Sequence, residues 1–563
     1  MTRTQVDRRS SADAIARTPL WMHAVALAVL LLVMLPAVGT SASFSSDEGA
    51  YIFEAQQLSE DGSWGIPHPL AQADPEGEAF PLALAQDTDD GWVAVGKHPV
   101  YSVVLAVGDR VGGVDAMVLL SLLGTMGCAT AAALLGRRLQ PGLAVPAFWL
   151  VGVGSPLFFD GYLVMAHTLA AAACGFAFLV ALRSREQSSI SLVLALGALA
   201  AIAVVLRREA IVFVGALALV FLVEGVRRRH GAAILVACVA AGSALLAVAG
   251  ERIWYRAIVP ATSTTPDVPV ASSGSVGGRI DGFLITWFQP GYAPFETRHV
   301  LLLVMALLGA GLIAAARLRA ADTGLLAVLG GGVAVVAVVL VVGASFGPVS
   351  GLLVACPAIL YGLVALRSPT GETALALCVA GIFAIGVAAT QYDRGGALEW
   401  GGRYFALAVP VAIPALLVGL RRLLVSLDRP GRIAIVGALA ASSLATSWLA
   451  IGALREAHRR HDATVSDAAS LAAETAPGDG GAPVVVAGDY DLGRLAWRVA
   501  GEDSRWLYAE DLEELVPGLR AAGIDRFVYI ANDRDGSEAE SSGLVVVSSV
   551  AGGRIQELAF DQG

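Results

Sequence analysis

The residues of this sequence best suited to chemistry are few and far apart. Within SFSSDEGAY, residues 43–51, two acids stand side by side, Asp47 and Glu48. A carboxylate at the mouth of a pocket can take the proton from a hydroxyl, which is the work of a general base. The same stretch also fits a capping box, in which Ser45 caps a helix and Glu48 reaches back to it; acids are favoured in a helix's first turn in any case. That reading explains a helix start. It does not explain the company these acids keep.

Downstream, GKHPVY holds Lys97, the sole lysine of a 563-residue chain, followed by His98. An ammonium is a compact charge suited to phosphate, although snorkelling from a membrane interface would also account for one lysine at this place. FFDGYLVMAHTLAAA carries Asp160 and His167 at a junction between two apolar runs, where a lone histidine also suits the interface. LRREA sets Arg207, Arg208 and Glu209 at another junction, with Arg208 and Glu209 able to neutralise each other. WGGRYF ends the series with Arg403 and Tyr404 behind a glycine pair. Glycines permit close backbone approach, arginine can grip a phosphate through two parallel hydrogen bonds, and the tyrosine ring suits headgroup depth. Charges at membrane depth are costly and are functional candidates by default.

The elements that must position these residues are membrane helices. The chain is 56% hydrophobic and only 15% charged, where soluble domains carry roughly 25% charged residues. Apolar runs long enough to cross a bilayer lie near 20–39, 114–136, 142–158, 162–182, 189–206, 210–226, 231–249, 299–316, 323–344, 349–366, 373–390, 404–420 and 433–453. The first lacks an A-x-A cleavage site and reads as a retained helix. Thirteen spans with the N-terminal tail, 1–19, in the cytoplasm would put 18 arginines in 58 residues on the inner side, against 10 basic residues in about 146 outside. That bias follows the positive-inside rule and puts the C-terminus outside. The acids gather in 47–90 and beyond 455, an acidic and unstriped surface that argues against nucleic acid. Cys128, Cys174, Cys238, Cys356 and Cys378 all fall within apolar runs, so neither a disulfide framework nor a cysteine metal site is expected.

Three outer segments are long. Residues 40–113 form a first loop with room for a helix along the membrane, 250–298 form a second, and 454–563 form a soluble tail. In the tail PVVVAGDY, LGRLAWRVA, RWLYA, DLEELVPGLRAAG and DRFVYIAND alternate as strand, helix, strand, helix, strand, the pattern of a small α/β domain. HRRH at 458–461 has metal-ligand spacing, but beside two arginines a solvated helix is expected.

SSDEGAY, GKHPVY, AHTLAAA, LRREA and WGGRYF occur in an order and sidedness that resembles the GT-C membrane glycosyltransferases. Within them the likeness is to the lipid A aminoarabinose transferase and protein O-mannosyltransferase group and to the RgtA/B/C/D-like branch, over about residues 15–455. The resemblance implies a sugar moved from a polyprenyl-phosphate carrier at the outer face of the plasma membrane to a cell-envelope glycan, lipid or protein acceptor. It implies Asp47, beside Glu48, as the catalytic carboxylate and Lys97 and Arg403, with Tyr404, as the donor-phosphate group. His98, Asp160, His167, Arg207, Arg208 and Glu209 would support the site. Relatives often place a second acid where His167 stands, so a divalent cation would fall at Asp47, Asp160 or His167 if one is used.

Elementary chemistry agrees. A lipid phosphate leaves without a strong general acid, the acceptor hydroxyl needs a base, and fixed cations stabilise the charge that grows on the phosphate. The carrier lipid needs an apolar groove, which helices bearing small residues can frame. A transporter or flippase would instead carry charges near the midplane of broken helices, with halves of matching pattern; an inactive scaffold is the third reading. The expected architecture is therefore an all-α polytopic membrane protein of about thirteen helices, spanning 20–453, with a small C-terminal α/β extracytoplasmic domain at 454–563.

Overall fold

The computed structural model describes residues 18–39, 43–82, 85–88, 91–94, 98–187, 189–259, 275–288, 297–318, 323–342, 351–390, 400–475, 482–495, 504–532 and 544–560. Lys97, the N-terminal tail and most of the Gly/Ser/Thr/Pro-rich part of the second outer loop lie outside them.

All thirteen apolar runs contain helix. Among the described residues, ten helices are long and apolar enough to cross a membrane, and Ile190–Leu206 is a shorter apolar one. Two runs break. Residues 142–158 divide into Ala144–Gly152 and Pro156–Asp160 around a Gly/Ser/Pro turn, and 349–366 divide into Leu352–Ala355 and Pro357–Ala365. At the second break Cys356 precedes a proline, whose ring drives it out of helical geometry to φ −129°, ψ 76°. Helix Pro99–Leu139 is kinked at Gly112 and Gly113, where the sequence places the end of the first outer loop. A loop helix therefore precedes the break and the apolar span follows it.

Helix contacts rest on small residues. Gly124 stands where a Cβ would meet the Leu169 backbone N at 2.6 Å, and Ala131, Ala170 and Ala171 are fully buried nearby. Close backbone approach of this kind drives association where the solvent is as apolar as leucine. Large side chains such as Val29, Leu245, Leu246 and Val328 are exposed on the outside of the bundle, as a lipid-facing surface requires.

The helices have two chemically distinct ends. Arg138 donates to Glu372 through Nε at 2.9 Å and through Nη2 at 2.7 Å, and it also pairs with Glu186. Arg185 bridges Glu372 and Glu224, each at 3.1 Å. Four helices, Pro99–Leu139, His167–Glu186, Ala210–Arg228 and Gly371–Thr390, are thus tied at one end. Their opposite ends lead to His98, His167, Glu209 and the turn before Arg403.

Helix Arg429–Thr475 runs for 47 residues, about 70 Å at 1.5 Å per residue, and carries the chain from the bundle into the tail without a break. An antiparallel hairpin in the segment between the first two apolar runs pairs β1 (Ala85–Thr88) with β2 (Gly91–Ala94). The tail builds a five-stranded sheet from β3 (Val484–Ala487), β4 (Arg505–Tyr508), β5 (Arg526–Ile530), β6 (Leu544–Val550) and β7 (Ile555–Phe560), in the order β4-β3-β5-β7-β6. β3 pairs in parallel with β4 and β5, as the alternating pattern requires; the antiparallel pair β6 and β7 extends the sheet beyond what that pattern shows. The histidines of HRRH are not solvated. His458 is buried with Nδ1 3.0 Å from Val38 O, and His461 Nδ1 lies 2.7 Å from Ser43 O.

Candidate active site

Helix Ser46–Glu60 opens with the capping box that its sequence spells, Ser45 and Glu48 satisfying each other's backbone. Glu48 does more than cap. Its Oε2 accepts from Phe44 N and Ser45 N, and its Oε1 accepts from Val164 N, all at 2.9 Å. Both carboxylate oxygens are thereby committed to backbone. Burial pushes the Glu48 carboxyl up to about 7, against the pull of those three N–H groups and of Arg403.

Neighbouring residues on a helix point about 100° apart, at 3.6 residues per turn. With Glu48 turned inward, Asp47 faces another way, its side chain 31% exposed and its Oδ2 3.5 Å from Arg403 Nη2. Arg403 opens a short 3₁₀ turn, Arg403–Ala408, behind Gly402 in the left-handed region at φ 63°. A Cβ on Gly402 would stand 2.7 Å from Thr286 O, so both the turn and the approach of the neighbouring helix require glycine. Arg403 is 8% exposed, places Nη1 3.6 Å from Met165 Sδ, and stacks its guanidinium 5.3 Å from the Tyr404 ring centroid.

Further cationic and aromatic groups close in. Arg207 is gripped by Glu209 through Nε at 3.1 Å and Nη2 at 2.8 Å, so the neutralising pair is Arg207–Glu209 and not Arg208–Glu209. Arg207 lies within electrostatic reach of Arg403, Tyr404 and Tyr51. Arg208 is exposed and acts at a distance on His98, whose Nδ1 sits 2.6 Å from Glu251 Oε1. His98 N donates to Tyr51 Oη at 3.5 Å, and Tyr51 meets Tyr101 edge-on at 5.0 Å. His167 is fully buried within electrostatic reach of Asp47, His98, Arg207 and Arg403. Neither of its ring nitrogens has a hydrogen-bond partner among the described residues.

Asp160 is buried elsewhere in the junction, within reach of the Cys128 thiol. Asp47, Asp160 and His167 do not make a ligand set: among the described residues, no group of three His, Cys, Asp or Glu side chains could hold a metal ion. The charge that faces Asp47 is the Arg403 guanidinium.

Sequence reasoning missed Tyr51, Glu251 and Met165. Tyr51 could have been found: it stands four residues after Asp47, one helical turn on. Glu251 follows an apolar run directly as a lone acid. Met165 carries no chemical signal of its own.

A largely apolar groove of about 590 Å³, with Arg279 in its lining, lies between helix Val276–Phe288 and the end of helix Gly371–Thr390. Ile280, Phe283 and Trp287 form one wall, and Ala384, Ile385 and Ala388 the other. Trp287 meets Phe405 edge-on at 5.3 Å, two residues beyond Arg403.

No family model and no curated protein sequence matches this chain. Solved structures do. ArnT from Cupriavidus metallidurans bound to undecaprenyl phosphate aligns with a TM-score of 0.51 at 13% identity, over 95% of this chain and 97% of its own. The chain has the ArnT fold. The apo state of ArnT also aligns, with a TM-score of 0.43 at 15% identity, over 95% of this chain and 98% of its own. At such identity the likeness to ArnT is one of fold.

Proposed function

We propose that this protein is a membrane glycosyltransferase that moves a sugar from a polyprenyl-phosphate carrier to an acceptor hydroxyl at the outer face of the plasma membrane. The N-terminus would be cytoplasmic and the C-terminal domain extracytoplasmic, as the arginine bias supports. The observation that carries the reading is the meeting of Asp47 with Arg403 beside the apolar groove. ArnT, whose fold this chain has, is bound to undecaprenyl phosphate in the aligned structure, which supports a carrier of that class.

The chemistry follows from the groups present. Asp47 accepts the proton of the acceptor hydroxyl, whose oxygen attacks the anomeric carbon of the sugar. The bond from that carbon to the phosphate oxygen breaks, and the carrier departs as a phosphate monoester with one more negative charge than it brought. Arg403 stabilises that charge, with Lys97 proposed as a second cation and Tyr404 flanking the guanidinium. In the resting site Asp47 and Arg403 neutralise each other. A donor phosphate that competes for the guanidinium frees the carboxylate to act as a base, so base activation is coupled to donor binding. Glu48, bonded three times to backbone, serves as the anchor that aims Asp47.

The test is binding of undecaprenyl phosphate to the protein in lipid nanodiscs, followed by transfer from polyprenyl-phosphate sugars. Arg403→Ala should weaken binding about tenfold or more. Equal binding by wild type and variant would remove Arg403 from the donor site and the reading with it.

A further inference from the structure

The C-terminal domain is fastened to the chain on both sides of Asp47. Upstream, His458 and His461 hold the Val38 and Ser43 carbonyls, and Ser43 N donates to Leu495 O at 3.4 Å. At the helix itself, Gly49 follows Glu48 directly, and a Cβ on it would stand 1.6 Å from Arg494 O. The short helix Leu492–Leu495 therefore lies against the first turn of helix Ser46–Glu60 at backbone distance. Downstream, Tyr508 N at the end of β4 donates to Ala79 O at 2.9 Å. The presser is itself held: the Arg494 side chain is buried, bonded to Asp491 at 2.9 Å and stacked 5.3 Å from the Tyr490 ring.

We propose that the C-terminal domain is a positioning element of the reaction centre, setting the pose of Asp47 toward Arg403 through Gly49, Leu495 and His461. The domain touches the residues on either side of the acid pair, not the pair's carboxylates, so it acts through the backbone that carries them. A catalytic group misplaced by about 1 Å can cost two orders of magnitude in rate, which gives such a clamp a purpose. The proposal rests on the reaction proposed above for that purpose. Its test needs no substrate, so the two can fail separately.

The readout is hydrogen exchange at the amides of Phe44, Ser45 and Val164, the three that the Glu48 carboxylate holds, measured in the full-length protein. His461→Ala should speed exchange at these amides by about tenfold. His461→Asn should restore it, because the asparagine amide nitrogen falls where the histidine Nδ1 lies and can still donate to Ser43 O. Gly49→Ala should speed the same amides, with exchange unchanged in the helices tied by Arg138 and Glu372. If the three amides exchange at the wild-type rate in His461→Ala, the domain does not position the acid pair and the proposal is overturned. If His461→Asn fails to restore them, His461 acts by bulk and its part in the clamp is overturned. Altered exchange in a protein that transfers no sugar would uphold the clamp and sink the proposed reaction.

Discussion

Arg403 Nη2 stands 3.5 Å from Asp47 Oδ2, although the two residues come from the segment after the first apolar helix and from the last turn before helix Val409–Ser426. The pair is half-buried on one side and nearly buried on the other, so each charge compensates the other's desolvation. Removing one partner should free the second to act elsewhere. Asp47→Asn should therefore lower sugar transfer by about a hundredfold or more, the ordinary loss for a missing base. It should not weaken undecaprenyl phosphate binding, and should strengthen it, because the guanidinium no longer has a carboxylate competitor. Titration of the carrier against wild type and variant in nanodiscs checks this; weaker binding by the variant would mean that Asp47 holds the donor rather than competing with it.

Glu48 makes a pH prediction. Burial raises its carboxyl to about 7 from an unfolded value near 4.5. A group whose folded pKa is raised binds more protons in the folded state. Its contribution to stability is present in full below about pH 4.5 and is lost as pH rises through 7. Over that window the loss is on the order of 3 kcal/mol. The stability of wild type relative to Glu48→Gln should therefore fall between pH 5 and 8. The variant should also be less stable at pH 5, because its amide NH2 must face a backbone N–H at one of the carboxylate positions. Denaturation profiles of both proteins across this range decide it, and parallel slopes would show that Glu48 does not titrate there.

The sequence makes the anchor of the site legible and leaves its interior dark. Ser45 and Glu48 announce their capping box by type and spacing, and the structure forms it. Gly401 and Gly402 announce a turn before Arg403. The strand–helix alternation of the tail names β3, β4 and β5. What local pattern cannot carry is pairing at long range. Glu209 chooses Arg207 over the adjacent Arg208 because Arg207 points into the bundle and Arg208 is exposed. Glu251 reaches His98 from within helix Gly231–Ile258, 153 residues away. The β6–β7 hairpin follows no helix, so an α/β rhythm gives no hint of it. Breaks at Cys356 and near Ser155 turn two apolar runs of membrane length into short helices, an effect of proline and glycine that hydropathy alone averages away.

The groove beside Arg403 should read the lipid tail rather than the phosphate. Ala388 lines it together with Ile385 and Trp287. Ala388→Trp would fill it with a ring and displace the apolar contacts that a long prenyl chain makes, at about 0.8 kcal/mol for each buried CH2 lost. Affinity for undecaprenyl phosphate should fall about tenfold, the equivalent of roughly 1.4 kcal/mol. Affinity for inorganic phosphate, which has no tail to place in the groove, should hold. Equal losses for both ligands would place the lipid tail in some other channel.

His167 poses the opposite question, what a buried polar group is for. Both ring nitrogens are enclosed and lack a hydrogen-bond partner among the described residues, at a cost of about 1–3 kcal/mol for each polar group left so. Leucine has the bulk to replace the ring and has no polar atom to desolvate. If His167 merely packed, His167→Leu would be at least as stable as wild type with transfer intact. The ring lies within electrostatic reach of Asp47, Arg207 and Arg403, where a donor phosphate or sugar hydroxyl would complete its hydrogen bonds. We therefore expect His167→Leu to melt at or above the wild-type temperature while losing transfer by about tenfold or more, stability gained where function is given up. Thermal melts and transfer assays on the same preparation check both halves. A variant that melts earlier and transfers normally would make His167 a packing residue with a bound water.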